Sequence, residues 1–298
     1  MPDPAHKPVR LIALMNQKGG VGKTTTTVNL AAAFAKAGRS TLVVDLDPQA
    51  HATLHLGVDP NALEKSVYDV LMDDQADIAS IIHQTRPNLA LLPAETDLAA
   101  VEGELANEPD KQRRLEKALA RLEGRFEFIL LDCPPSLGLL TINGLACARE
   151  VLIPMQAHFL ALQGVGKLLE TVALVGQAVN PRLRVTGVIL CMHDAGSTHT
   201  REVVADLDSF FEQARQGDSA WKFARVLRPP VRRNIKLAEC PSFGQTIFEY
   251  APQASGAEDY AALAEQLLRE WDQMLNRRTE SPTVHVLPTP VAQARFSV

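Results

Sequence analysis

Residues 16–25 of this 298-residue chain read Asn-Gln-Lys-Gly-Gly-Val-Gly-Lys-Thr-Thr, and this stretch decides the fold. It follows the apolar run Leu11–Met15, which predicts a strand, and it opens a predicted helix, Lys23–Ala37, that stops at Gly38. Glycines allow backbone N–H groups to turn toward an anion without a Cβ clash, and the N-terminus of a helix adds partial positive charge. The stretch therefore predicts a phosphate-binding loop.

The side chains of this loop predict how a nucleotide is held. Lys23 is expected to contact the β- and γ-phosphates, and Thr24 to offer its hydroxyl to Mg²⁺. Gln17 takes a position where the generic phosphate loop has glycine, and Lys18 adds a second lysine one residue later. The predicted nucleotide contacts in the loop are Lys18, Gly19, Gly20, Val21, Gly22, Lys23, Thr24 and Thr25.

Short apolar runs alternate with helix-length segments along the chain. This alternation predicts an α/β fold, a single-domain, doubly wound and mostly parallel sheet with helices on both faces. The predicted strands are Leu11–Met15, Thr41–Val44, Leu89–Leu92, Phe128–Leu131, Val151–Met155 and Val185–Cys191. The predicted helices are Lys23–Ala37, Lys111–Glu123, Gln163–Val179, Thr200–Gln213 and Ala257–Leu275.

The folded domain is predicted to cover residues 10–277. Residues 1–9 form a short, flexible N-terminus in this interpretation. Residues 278–298 are predicted to be a disordered tail, because prolines recur there without amphipathic periodicity.

Two predicted strands end in acidic residues. Thr41–Val44 runs into Asp45-Leu46-Asp47, and Phe128–Leu131 runs into Asp132. Ligands of open α/β sheets bind beyond the carboxyl ends of the strands, so both acidic ends are expected to meet the phosphate loop. One carboxylate can hold Mg²⁺, directly or through water, and a second can orient a water that attacks a phosphate. The predicted metal-binding residues are Thr24, Asp47 and Asp132.

Composition excludes several other classes of protein. A net charge of −5 with 22% charged residues gives no global sign of nucleic-acid affinity, so any basic surface must be local. The four cysteines form no CxxC pair, which disfavours a zinc ribbon or a disulfide scaffold and favours free thiols. No run of about 18 apolar residues occurs, so a cytoplasmic protein without a membrane partner is expected.

The segments KGGVGKTT at 18–25, DLDPQ at 45–49 and DCPPS at 132–136 together resemble the ParA/Soj branch of the ParA/MinD superfamily, the P-loop ATPases with a deviant Walker A motif. The resemblance extends over about residues 10–270. It includes the segments 92–99, 154–164 and 233–244, which look like the family's own.

The resemblance implies roles for individual residues. Lys18 matches the family lysine that reaches across a two-fold interface to the partner's nucleotide, which implies an ATP-sandwich homodimer. Asp47 matches the residue that positions the hydrolytic water, and Asp132 matches the Walker B carboxylate. The implied catalytic set is thus Lys18, Lys23, Asp47 and Asp132, and Asn234 falls where the family contacts the base or ribose.

The resemblance also implies a function. ATP and Mg²⁺ close the dimer, the dimer binds duplex DNA without sequence preference, and a ParB-like or cargo adaptor protein stimulates hydrolysis and release. Such a switch segregates a chromosome, a plasmid or another cargo, and it associates with the nucleoid.

A basic segment supplies the candidate DNA contacts. Residues 222–236 contain six basic residues and no acid, a pattern that fits phosphate binding but also fits a solvated surface. The predicted DNA-binding residues are Arg233, which matches the family's DNA-contacting arginine, with Arg232, Lys236 and Arg228. Arg232 stands where the family has proline, and Gly196 stands where the family has another arginine.

Two other functions compete with this interpretation. The first is a MinD-like spatial regulator that acts on a membrane or a protein scaffold, which requires a C-terminal amphipathic helix to hold a bilayer. The second is a metabolic enzyme on the same fold, such as an ATP-dependent amidase or ligase. Lys18 argues against the enzyme, because a lysine that acts in trans is useful only where dimer closure is the output.

Overall fold

The computed structural model describes residues 8–280, except the side chains of residues 159–163 and 278–280. Seven strands form one sheet. They are β1 (Arg10–Leu14), β2 (Thr41–Asp45), β3 (His83–Arg86), β4 (Leu89–Leu92), β5 (Phe128–Asp132), β6 (Glu150–Met155) and β7 (Arg184–Leu190).

Twelve α-helices connect or follow these strands in the described part of the chain. They are α1 (Lys23–Lys36), α2 (His51–His55), α3 (Val67–Met72), α4 (Ile78–Ile81), α5 (Val101–Glu104), α6 (Arg114–Ala120), α7 (Leu139–Cys147), α8 (Phe159–Ala178), α9 (Thr198–Ala214), α10 (Lys236–Glu239), α11 (Ile247–Tyr250) and α12 (Ser255–Glu280). Short 3₁₀ helices lie at Pro60–Ala62, Thr96–Ala100, Lys111–Arg113 and Cys240–Phe243.

The strand order is β3-β4-β2-β5-β1-β6-β7. All neighbours pair in parallel except β3, which is antiparallel to β4. The chain moves from β1 toward β2 on one side and from β5 to β6 on the other. Because parallel crossovers are right-handed, these opposite directions place α1 and α7 on opposite faces of the sheet. The predicted doubly wound, mostly parallel sheet is confirmed.

The central strands are apolar because both of their faces are covered. Every residue of β2, β4 and β5 is buried, as a parallel sheet between helices requires. Helix α1 packs against this sheet, with the rings of Phe34 and Phe128 at 4.6 Å. This contact holds the end of α1 beside the first residue of β5. The start of α1 lies at the other edge of the sheet, where Thr24 and Thr27 donate to Asp132 at the end of β5 and where the phosphate loop was predicted.

All six predicted strands are present, with ends that differ by one residue at most. The sequence analysis missed β3, whose residues His-Gln-Thr-Arg carry no apolar signal. The segment predicted as the helix Lys111–Glu123 begins as a 3₁₀ turn and continues as the shorter α6. The four cysteines are free and buried.

Contacts divide the chain into two units, Met1–Ala264 and Glu265–Val298. The first holds the whole sheet. The described part of the second is the later portion of α12, which reaches Glu280 and so includes residues 278–280, the first three of the predicted tail. The rest of the predicted tail and residues 1–7 lie outside the described residues.

Candidate nucleotide-binding site

The loop between β1 and α1 has the backbone conformation that its glycines predict. Gly20 and Gly22 adopt φ angles of +71° and +92°, a region that residues with a side chain rarely enter. A Cβ on Gly22 would also lie 3.3 Å from the Cβ and Sγ of Cys191 at the end of β7. The loop therefore depends on glycine at both positions to reach the N-terminus of α1.

Asn16 anchors this loop to the neighbouring strand. Its Nδ2 donates to the carbonyl of Pro154 in β6 at 2.8 Å, and its Oδ1 accepts from the backbone N–H of Lys18 at 3.0 Å. No role for Asn16 could be predicted from the sequence, because its partner Pro154 is distant in the chain.

A cleft of about 810 Å³ opens above the loop, a size that suits a nucleotide. Pro134, Pro135, Met192 and Tyr260 form part of its wall. The predicted nucleotide contacts and metal ligands that line it are Gly19, Gly20, Gly22, Lys23, Thr24, Thr25, Asp47 and Asn234. Arg232, a predicted DNA contact, lines it as well.

Asp132 lies at the end of β5 with 1% of its surface exposed and bonds two threonines of α1, of which Thr24 lines the cleft. Its carboxylate accepts from the hydroxyls of Thr24 at 2.7 Å and Thr27 at 2.9 Å. Burial raises the pKa of Asp132, while these hydrogen bonds and the charge of Lys23 oppose the shift.

This arrangement fits Mg²⁺. The Thr24 hydroxyl gives its hydrogen to Asp132, which leaves the oxygen lone pairs for a cation. A hard cation prefers such oxygen ligands, and its charge would favour the ionised form of Asp132. Together with the glycine loop and Lys23, the site suits a nucleotide phosphate with its metal ion.

A third carboxylate, Asp45, is fully buried and was not assigned a role from the sequence. It accepts from the backbone N–H of Thr53 at 2.9 Å, the Thr53 hydroxyl at 2.8 Å and the backbone N–H of Asp47 at 3.1 Å. Burial and then the charge of Asp132 raise the pKa of Asp45. Asp45 thus fixes the backbone of Asp47, whose half-buried side chain lines the cleft.

Lys18 and Val21 face a different side of the loop. They line a small cavity beside the cleft, together with His158. The Nζ of Lys18 lies 2.8 Å from Nε2 of His158, and the ammonium must donate because it has no lone pair. Partial burial and the charge of Lys18 lower the pKa of His158. Lys18 is exposed and does not line the nucleotide cleft of its own chain.

Asn234 brings the predicted base-side contact to the cleft. Its Nδ2 donates to the Ser255 hydroxyl at 2.8 Å, and its Oδ1 accepts from the backbone N–H of Lys236 at 2.9 Å. The preceding Arg233 is exposed. Among the described residues, no side-chain partner is found for its guanidinium.

The other three predicted DNA contacts are paired with carboxylates. The basic segment lacks acids in sequence, but the fold brings acids to it from elsewhere in the chain. Arg228 pairs with Asp208 at 2.7 Å and Lys236 with Glu239 at 2.9 Å. Arg232, the third of these predicted contacts, pairs with Asp259 at 2.7 Å and Glu258 at 2.9 Å.

Within residues 8–280, the helices include none that is both long and apolar enough to cross a membrane. The same part of the chain holds no cluster of three or more potential metal-binding His, Cys, Asp or Glu side chains. A magnesium site of the kind described above relies on hydroxyl, phosphate and water oxygens in addition to carboxylates, so it differs from such a cluster.

Two of the most similar structures come from one protein of Mycobacterium smegmatis, described as cobyrinic acid a,c-diamide synthase. With ADP and magnesium bound, its structure is 37% identical to this chain, with a TM-score of 0.75 over 90% of this chain and 97% of that one. The septum site-determining protein MinD of Pyrococcus horikoshii, complexed with Mg-ADP, is 24% identical with a TM-score of 0.68, over 92% of this chain and all of that one. The latter likeness concerns the fold alone.

Sequence comparison gives the family. A family model described as an AAA domain matches residues 9–185. The chromosome partitioning protein ParA of Myxococcus xanthus is 41% identical over 261 residues, which cover 87% of this chain and 88% of the relative. The sporulation initiation inhibitor protein Soj of Bacillus subtilis is 42% identical over 259 residues, which cover 87% of this chain and 98% of the relative. This chain therefore belongs to the ParA/Soj family of P-loop ATPases.

Proposed function

We propose that this chain is an ATP-dependent switch that positions or segregates DNA or another cellular cargo. ATP closes a homodimer, the dimer binds duplex DNA without sequence preference, and a ParB-like or cargo adaptor protein stimulates hydrolysis and release. The observation that carries the proposal is the separation of the two loop lysines, because Lys23 faces the nucleotide cleft and Lys18 faces outward.

The cleft residues divide the work of hydrolysis. Lys23 and the backbone N–H groups of the loop neutralise the phosphates, and Thr24 with Asp132 holds Mg²⁺, partly through water. The bound metal supplies charge that stabilises the transferred phosphate. Asp47 lines the same cleft, where its carboxylate can accept a hydrogen bond from a water and orient it for attack. Asn234 holds the base or ribose end.

Lys18 supplies the switch. A lysine that lies outside its own cleft adds no charge to its own nucleotide, so it contributes to catalysis only when a second copy brings it to the partner's phosphates. Dimer closure and full activity then depend on the same contact. In the separate subunit, His158 accepts a hydrogen bond from this lysine and holds it at the surface.

Arg233 carries the proposed contact with DNA. It is exposed and matches the family arginine in this role, while Lys236 and Arg228 extend the charge beside it. Both of those residues also pair with carboxylates of the chain, so their contribution is smaller. The proposed cellular location, on the nucleoid in the cytoplasm, follows from this binding.

The similarity to a protein described as a diamide synthase supports a second candidate, an ATP-dependent amide-forming enzyme. The two functions differ in what ATP does. An amide-forming enzyme transfers phosphate to a carboxylate substrate and needs no second copy of Lys18. A MinD-like regulator differs in the surface to which the ATP-bound protein attaches, since it would bind vesicles or a protein scaffold in place of DNA.

A gel shift of duplex DNA tests the proposal. The Asp47→Ala variant with Mg-ATP at low salt should accumulate as closed dimer and shift unrelated sequences alike. Each neutralised phosphate lowers the slope of log affinity against log salt by about 0.9, so Arg233→Ala should flatten the slope by about two units in a dimer. Arg121→Ala, at an exposed arginine of another segment, is the matched control.

Two results would contradict this proposal. One is DNA that stays unshifted with ATP, which would favour a protein scaffold or a membrane as the surface that this protein binds. The other is an Arg233→Ala variant that binds as tightly as its parent, which would place the DNA contact elsewhere.

A further inference from the structure

Residues 231–236, here called the basic loop, connect the end of the sheet to α10. One side of this loop is attached to β7 by its backbone. The N–H of Val231 donates to the carbonyl of Leu190 at 2.7 Å, and Arg232 forms a parallel bridge with His193. The loop also carries two functional side chains in adjacent positions, because Arg233 is exposed and Asn234 lines the cleft.

Arg232 attaches the other side of the basic loop to the start of α12. Its backbone N–H donates to Oδ2 of Asp259 at 2.8 Å, and its Nη2 donates to Oδ1 of the same carboxylate at 2.7 Å. Glu258 accepts a further bond at 2.9 Å. These carboxylates raise the pKa of Arg232 still further, so the guanidinium stays charged and its planar fork is fixed on Asp259.

Asp259 differs from a surface acid in that only 4% of it is exposed. The next residue, Tyr260, lies within 2.9 Å of the hydroxyl of Thr26 in α1, the helix that the phosphate loop opens. Ser255, in the first turn of α12, accepts from Asn234. The start of α12 therefore contacts α1 through the side chain of Tyr260 and the basic loop through three others, Ser255, Glu258 and Asp259.

We propose that Arg232 is a positioning residue that holds Asn234 toward the nucleotide and Arg233 toward DNA, and that it does not itself contact DNA. This inference rests on the proposed function. The backbone N–H, Nε and Nη2 of Arg232 all donate to the buried Asp259, and Nη2 also donates to Glu258. These two carboxylates place negative charge beside the guanidinium, which disfavours a DNA phosphate there. The same bonds connect the nucleotide cleft to the DNA surface, because the loop, α12 and α1 form one hydrogen-bonded unit.

The two roles for Arg232 predict opposite effects of Asp259→Asn. If Arg232 contacts DNA, this change frees the guanidinium and removes a negative charge near the phosphates, so binding should tighten. If Arg232 positions the loop, the change weakens its anchor, so binding should loosen. Asp208→Asn is the matched control, since it makes the same change in the acid that pairs with Arg228 at 2.7 Å.

The experiment uses the full chain with Asp47→Ala, Mg-ATP and duplex DNA of two unrelated sequences. We expect Asp259→Asn to weaken DNA binding by about fivefold or more, the lower end of typical coupling between sites. Asp208→Asn should leave binding unchanged or tighten it. Arg232→Lys, which keeps the charge but loses the fork, should behave as Asp259→Asn does. Both variants should also weaken ATP binding measured by calorimetry, because Asn234 shifts. Asp259→Asn is the decisive one for ATP, since Arg232 lines the cleft and Asp259 does not.

The outcomes separate this inference from the function it rests on. If the parent binds DNA and Asp259→Asn binds equally or more tightly, the positioning role is wrong. The same holds if thermal stability falls while the folded protein binds DNA and ATP as the parent does. If the parent does not bind DNA at all, the proposed DNA function fails. ATP affinity then decides the positioning role alone, and unchanged affinity in Asp259→Asn and Arg232→Lys overturns it.

Discussion

At the scale of single residues, the site depends on a few charges in a dry environment. Lys23 is 8% exposed and lies near Asp132, whose carboxylate it helps to keep ionised. When nucleotide phosphates enter the cleft, Lys23 interacts with groups that carry more negative charge than Asp132 does. Its burial makes that interaction stronger than it would be in water, because little solvent remains to screen it.

Lys23→Ala should therefore abolish tight ATP binding. A hydrogen bond to a charged group contributes roughly 1.5–3 kcal/mol, so the affinity should fall by about tenfold or more. Isothermal titration calorimetry with Mg-ATP measures this loss, and Lys117→Ala, at an exposed lysine of α6, is the control. An unchanged dissociation constant would show that the loop does not hold phosphates through Lys23.

Asp47 should act on the rate and not on binding. Its backbone is fixed by Asp45, so Asp47→Ala removes the side chain that faces the cleft while the wall stays in place. We expect ATP affinity within about threefold of the parent and hydrolysis slower by about a hundredfold or more, the effect of losing a catalytic base. Phosphate release under single-turnover conditions measures the rate, and a native rate would make Asp47 structural.

At the scale of elements, helix α2 connects Asp47 to the segment around Cys240 and Gly244. It begins four residues after Asp47 and ends at His55, whose Nε2 lies 3.5 Å from the Sγ of the buried Cys240. Arg86 in β3 holds the end of the helix, since its guanidinium donates to the carbonyls of Leu56 at 2.7 Å and Gly244 at 2.6 Å. These contacts place His55 close to the positive charge of Arg86, so a positive charge on His55 would be unfavourable.

The free energy of unfolding should therefore depend on the pH at which His55 is protonated. Burial and the charge of Arg86 lower the pKa of His55 from 6.5 to about 4. The folded state thus binds fewer protons than the unfolded state between these values, so the contribution of neutral His55 is present above pH 6.5 and is lost as the pH falls toward 4. That loss amounts to about 3 kcal/mol.

The variant His55→Gln cannot titrate, so its free energy of unfolding should fall less steeply between pH 7 and pH 4 than that of the parent. Urea denaturation at several pH values measures the difference, with His83→Gln, at an exposed position of β3, as the control. Parallel curves for the parent and the variant would mean that His55 is not held neutral.

The same region shows which elements a sequence can predict. The six strands that pair in parallel were predictable because helices cover both faces of the sheet, so these strands are mostly buried and carry apolar runs. Strand β3 is an exposed edge strand. It is a strand because it pairs with β4, and its own four residues show no apolar or alternating pattern from which a strand could be predicted. The short α2 was missed for a related reason, since five residues are too few for a helical period to show.

Among the site residues, those in the loop and at strand ends were predictable because their neighbours in sequence position them. Asp47 and Asp132 needed only the rule that ligands bind at the carboxyl ends of strands. The partners Pro154, His158 and Asp259 were not predictable, because each lies more than 25 residues from the group it holds. For this reason Arg232 looked like a free cation in sequence and is a paired one in the fold.

At the scale of the whole molecule, the proposed function depends on a second copy of the chain. One subunit contains the glycine loop, the Thr24 hydroxyl proposed to hold Mg²⁺ and the carboxylates of Asp47 and Asp132, and its own Lys18 is bonded at the surface to His158. Two such subunits that face each other across their nucleotides can exchange these lysines. The energy of closing then comes from phosphate charge, so the dimer should form with ATP and come apart after hydrolysis.

Lys18→Ala should therefore remain a monomer in the presence of Mg-ATP. Its own cleft is intact, so calorimetry should still detect ATP binding, with an affinity within about threefold of the parent. Multi-angle light scattering measures the mass, and Asp47→Ala, which should form a stable dimer with ATP, is the positive control.

His158→Ala is the matched variant, because it removes the partner that holds Lys18 in the separate subunit and leaves the lysine itself. It should dimerise at least as readily as the parent. An ATP-dependent dimer of Lys18→Ala would show that closure does not use this lysine, and Lys18 would then be a surface residue of a site that works within one chain.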